Sequence, residues 1–135
     1  MDYGQFKTYE KVTNAAGFPR TRQEQGLFLL ELGFSPELET HSINVPMTVE
    51  FSGFGDVIGL RIKPYSAYAS PKRIPALKDR LTSSDPPVEV FYDPETDDFA
   101  LQFLKNPTQR TRNLMGSLIF DPDENLTVLL VRLRG

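Results

Sequence analysis

The chain has 135 residues, a formal charge of −3, 39% hydrophobic and 24% charged residues, and no cysteine. That length predicts a single domain over residues 1–135 with a real core, and the composition is that of a folded chain rather than a disordered one. The acidic balance argues against a generally basic nucleic-acid binder while leaving room for a local basic patch, and the missing cysteines exclude disulfides, thiolate metal sites and cysteine nucleophiles.

The first residues lack a basic start followed by an apolar run, so no secretory leader is expected. No run approaches the roughly 18 apolar residues of a spanning helix, so no membrane partner is expected and the predicted location is cytoplasmic. Residues 1–20 read as an arm carrying Tyr3, Phe6, Tyr9 and Phe18 without a clean period. Thr21-Arg22-Gln23-Glu24 has the spacing of a capping box, in which Thr and Glu satisfy free N–H groups at a helix start. Leu27, Phe28, Leu30 and Leu32 follow, and Gly33 can supply a left-handed stop. The reading is an N-terminal helix over residues 22–32, with a buried strand over residues 27–32 as the competing one. Ser35-Pro36-Glu37-Leu38 reads as a capped turn. A first strand opens over residues 42–45, and Pro46 either interrupts it or places it at a sheet edge.

Three strand-turn-strand units follow, over residues 48–62, 88–104 and 117–133. Each sets β-branched and aromatic residues on either side of a turn rich in Gly, Asp, Asn or Pro. In the second and third, Asp-Pro opens the turn, because the Pro ring presets φ and Asp caps a backbone N–H; Asp97 and Asn125 then stand where a left-handed residue closes the loop. Residues 64–87 form a long connection with one short helix over residues 75–81. The last strand is apolar on both alternating sets, which predicts a central position. The expected fold is therefore α+β, a mainly antiparallel sheet of about six strands in three hairpins with one N-terminal helix. Phe91, Leu101, Phe103, Leu118, Phe120, Leu129, Val131, Leu133, Leu27 and Leu30 are the expected core. Tyr92-Asp93-Pro94-Glu95 through Phe99, with Asp121 through Val128, is similar to a hairpin of small prokaryotic domains of unknown function; the resemblance implies no activity.

Few residues point to chemistry. His41 is the only histidine, which removes His-rich metal sites and most Ser-His-Asp arrangements. Glu50, Glu89 and Asp97 could supply a carboxylate pair, but such a pair needs one desolvated member. Gly53-Phe54-Gly55 lacks the third glycine and the helix of a phosphate loop. Asp93/Asp97 and Asp121/Asp123 offer oxygen ligands without the glycine and distal Glu of a calcium loop, so neither metal nor cofactor is expected.

The charges themselves are patterned. If tight turns lie at one end of the sheet, that end gathers Asp56, Asp93, Glu95, Asp97, Asp98, Asp121, Asp123 and Glu124. The connections would gather Lys63, Lys72, Arg73, Lys78, Arg80, Lys105, Arg110, Arg112, Arg132 and Arg134 at the other. The candidate binding residues are therefore Asp93, Glu95, Asp97, Asp121 and Asp123 on the acidic turns, with Lys72, Arg73, Lys105, Arg110, Arg112, Arg132 and Arg134 at the basic end. The leading expectation is a non-catalytic protein-binding or assembly module, such as a viral or phage structural or accessory protein, that binds a protein partner or itself. A nucleic-acid binder using the basic end, with Tyr65 and Tyr68 stacking bases, is the alternative; a small enzyme or ligand carrier without a readable motif is the third.

Overall fold

The structure, a computed structural model, describes residues 19–33, 41–84 and 86–134. Among these residues eight strands make one antiparallel sheet: β1 (Arg20–Glu24), β2 (Leu27–Glu31), β3 (His41–Phe51), β4 (Val57–Ile62), β5 (Glu89–Asp93), β6 (Asp98–Gln102), β7 (Arg110–Phe120) and β8 (Leu126–Arg132). Among the described residues the only α-helix is α1 (Ile74–Thr82), between β4 and β5. The strands lie side by side in the order β1-β2-β8-β7-β3-β4-β6-β5. The expectation of about six strands with an N-terminal helix is corrected on both counts.

Residues 22–32 fold as a hairpin because Gln25 and Gly26 both adopt positive φ, 52° and 77°. Two left-handed residues between paired strands make the tight turn whose twist matches a hairpin, and Glu24 faces Leu27 directly across it. The Thr21…Glu24 capping box is not used as one: the Glu24 carboxylate accepts from Arg22 at 3.1 Å. Phe28 and Leu30 then enter the main core while Leu27 and Leu29 face the other side, so the apolar run is a strand covered on both faces.

The three expected hairpins are present; Asp97 takes the left-handed conformation as expected, but in the third turn Glu124 (φ 66°) takes it rather than Asn125. Thr48 pairs with Arg61, Val90 with Leu101, and Ile119 with Val128. β3 is much longer than residues 42–45. Pro46 sits in the half of β3 that β4 leaves unflanked, since their pairing starts at Thr48, and an edge is where a residue without an N–H fits. β8 is buried on both faces and lies between β2 and β7.

β3 and β7, 11 residues each, span the whole sheet. Their opposite halves carry β8-β2-β1 on one side and β4-β6-β5 on the other. The sheet curls as a half-barrel, so that Phe28 on β2 meets Phe103 beyond β6 with ring centroids 4.7 Å apart. At the β1 edge, the Gln23 amide donates to Gly55 O (2.8 Å) and accepts from Val57 N (2.9 Å), imitating a strand pair across the gap. Ile74, Leu77 and Leu81 turn one face of α1 into the core, and Pro75 stands in its first turn, where a missing N–H costs nothing.

Most of the expected core is buried, but Phe91 is not: it is 52% exposed on the sheet's outer side. Its neighbours in sequence, Val90 and Tyr92, are the ones that pack inward, so the alternation of β5 is offset by one from the expected set. Leu27 and Leu133 are only partly buried. The capped turn at residues 35–38 and the arm up to residue 18 lie outside the described residues.

Candidate functional site

Strand direction decides which charges share an end. The turns after β5 and β7 leave the sheet where β3 begins. The turns after β1 and β3, the start of β7 and the end of β8 lie where β3 finishes. Asp93, Glu95, Asp97, Asp121 and Asp123 thus point one way, and Lys105, Arg110, Arg112, Arg132 and Arg134 the other. The sorting of turns against connections does not hold, however. Asp56 lies at the arginine end and Lys63 at the opposite one, because the β3–β4 and β5–β6 hairpins point in opposite directions. Lys72 and Arg73 form the short 3-10 turn Pro71–Arg73 that follows the segment held by Asp97, so they do not join the arginines.

The acidic turns do not merge into one patch. The β7–β8 turn is level with His41 on β3, and the β5–β6 turn with about Met47, an offset of roughly 20 Å along the strand. Their carboxylates also have local work. Asp93 Oδ1 accepts from Glu95 N at 2.9 Å, and Asp121 Oδ1 accepts from Asp123 N and Asn125 N at 2.9 and 3.0 Å. These are the bonds of self-capping Asx turns. Among the described residues no three His, Asp or Glu side chains gather as a metal site.

Asp97 is the centre of a tightly coupled polar group. It has φ 57°, accepts Tyr92 OH at 2.6 Å and Ser66 N at 3.1 Å on both oxygens, and accepts the Ser66 hydroxyl as well. Its own carbonyl takes Tyr65 N at 3.0 Å. The Ser66 hydroxyl, then Tyr92, hold the Asp97 carboxyl below its ordinary pKa; the same bond to Asp97, then burial, raises the Tyr92 phenol. Tyr65 stacks on Phe99 at 4.3 Å, and its burial, helped by Tyr92, pushes its phenol up to about 12. Both hydroxyl protons here are donated to the carboxylate, so the group acts as a clamp between the β5–β6 turn and the connection after β4. His41 is exposed and stacks on Phe120 at 5.5 Å.

The arginine end is more open. Arg110 lies 5.0 Å over the Phe51 ring, a cation–π distance. Arg112 donates to Leu133 O at 3.2 Å and Arg132 to Ser117 Oγ at 3.3 Å. The Arg134 stem lies about a Cβ's width from the Gly26 turn, 3.0 Å from where such an atom would sit. Lys105 pairs with Glu89 at 3.6 Å. Arg110 and Arg112 share the inner face with Phe51 and Val49, their partners on β3; Arg132 stands on the outer one beside Ser117.

The same end carries a residue that charge patterning does not find. Phe54, at the tip of the β3–β4 turn, is 92% exposed. The turn under it is rigidly made. Ser52 Oγ accepts from Phe54 N and Asp56 N, both at 3.2 Å, Ser52 N donates to Asp56 O at 2.9 Å, and Gln23 braces the far side. Gly55 supplies the positive φ of 86°. The signal was present in Gly53-Phe54-Gly55, a large apolar residue between two glycines where a hairpin turns. No protein-family model matches the chain, and neither a curated protein nor a solved structure does. Among the described residues no helix is long and apolar enough to cross a membrane.

Proposed function

We propose that the chain is a non-catalytic protein-binding or assembly module that engages its partner through the Phe54 end. The observation that carries this reading is a phenylalanine held 92% exposed on a turn fixed by hydrogen bonds. Enclosing such a ring gains about 2–3 kcal/mol, and a turn already in place spares the cost of ordering it on contact. Aromatic and arginine side chains are the residue types that dominate binding hot spots, and Arg110 and Arg112 stand at the same end. The expected partner surface is an apolar pocket with an acidic rim, and exposed charges at that rim act on encounter rate and specificity.

The test compares immobilised wild-type protein, Phe54→Ser and an Arg110→Gln/Arg112→Gln double variant, each with an unchanged melting curve, in an extract of the source cells. Proteins retained by the wild type should be lost with Phe54→Ser, and retained less by the double variant and at high salt. Identical capture by all three proteins would refute the reading. Capture abolished by nuclease treatment would transfer the arginine end to nucleic acid instead.

A further inference from the structure

The outer face of β3-β4-β6-β5 holds a depression that follows from register. Across the four strands one row runs Thr48, Arg61, Ala100, Phe91, and the next Glu50, Gly59, Gln102, Glu89. Ala100 and Gly59 are diagonal neighbours with almost no side chain, so the floor drops between Phe91 and Gln102 on one side and Arg61 and Glu50 on the other. The result is a cleft of about 210 Å³, closed at one end by Asn106 and Thr108. A second hollow of about 280 Å³ lies on the other side of Arg61, lined by Thr48, Lys63, Asp98 and Asn113. Each is larger than the roughly 150 Å³ that accommodates a six-membered ring.

The polar walls are fixed in place yet keep bonding capacity. Thr108 Oγ1 donates to Glu50 Oε2 at 2.8 Å, while Glu50 Oε1 overhangs the floor, 3.7 Å from where a Cβ on Gly59 would sit. Arg61 Nη2 is held by Asp98 at 2.8 Å, and a guanidinium has further donors. The Gln102 amide nitrogen is turned to Leu104 O at 3.3 Å, which leaves its oxygen as an acceptor. Phe91, 52% exposed, offers an apolar ring beside them.

We propose that this double cleft binds a neutral saccharide chain of at least two residues. The charges of Glu50 and Asp98 offset those of Arg61 and Lys63, which favours neither anion nor cation. A sugar ring has hydroxyls that both donate and accept around its rim, and a C–H face that packs on an aromatic ring. Phosphate chains are disfavoured because Arg61 is already paired and two carboxylates line the groove. An extended peptide would look for free backbone groups at the β5 edge, whereas the floor of the cleft lies on β4 and β6, which are paired on both sides.

The experiment is an amide NMR titration of the full chain with neutral tetrasaccharides of glucose, mannose, xylose and N-acetylglucosamine, with an oligogalacturonate as anionic control. At least one neutral sugar should give saturable shifts at Gly59, Ala100, Gln102 and Thr108, with a Kd of about 1 mM as befits a few open contacts. Phe91→Ala should weaken it about five- to tenfold, and Glu50→Gln should weaken it with the shape kept. Phe54 does not line the cleft, so Phe54→Ser should leave the titration unchanged. The assignment is overturned if no neutral sugar shifts these amides at about ten times that concentration, if Phe91→Ala changes nothing, or if the anionic control binds more tightly.

Discussion

Gly116→Ala tests how β7 is seated between its neighbours. Gly116 lies opposite Val45 on β3 and Val131 on β8. A Cβ there would come within 2.6 Å of Leu130 O, 2.6 Å of Met47 Cε and 2.7 Å of Met47 Sδ. The thioether end of Met47 can swing aside, but the carbonyl belongs to the β8 backbone, and moving it disturbs the ladder. Overpacking of this kind costs about 1–3 kcal/mol, which for a domain of this size lowers Tm by roughly 4 °C per kcal/mol. Urea and thermal melts followed by circular dichroism read the loss directly. Met47→Ala alone should cost about 2–5 kcal/mol through its cavity. Combined with Gly116→Ala it should cost less than the sum by at least about 0.5 kcal/mol, because the void receives the new methyl. A Gly116→Ala protein within about 0.5 kcal/mol of wild type would refute the close approach, and strict additivity would remove Met47 from the account.

The core and the outer face should separate cleanly: Leu129→Ala, fully buried, should cost about 2–5 kcal/mol in denaturant melts, and Phe91→Ala less than about 0.5 kcal/mol. At acid pH, Asp97 with its lowered pKa contributes stability that is present above the unfolded value of about 3.9 and lost as pH falls through the folded one. Asp97→Asn should therefore flatten the pH dependence of Tm below about pH 4, and an unchanged acid profile would remove the clamp from the account. At alkaline pH, the unfolded Tyr65 phenol ionises near pH 10 and the folded one only at about 12. Stability should accordingly fall across that window, and Tyr65→Phe should reduce the fall.

Local features could be read from residue order alone. Hairpins over residues 48–62, 88–104 and 117–133 were legible because strand alternation and turn chemistry act between neighbours in the chain, as in the Asp93 and Asp121 turns. The short helix beginning near Pro75 was legible for the same reason. Over residues 22–32 the competing strand, not the helix, is what forms, because an apolar run carries no period of its own and only pairing with β8 on one side and β1 on the other makes Leu27–Glu31 a strand. The charge sorting was half legible: strand directions do send Asp121 and Arg110 to opposite ends, but the order β7-β3-β4-β6 reverses one hairpin and moves Asp56 and Lys63 across. Register alone decided that Phe91 faces outward, that Gly59 and Ala100 lie diagonally beneath Glu50 and Arg61, and that Gln23 reaches Val57 from 34 residues away. Each of these depends on which strands meet, and contacts of that kind are set by burying both faces of a curled sheet rather than by any stretch of sequence.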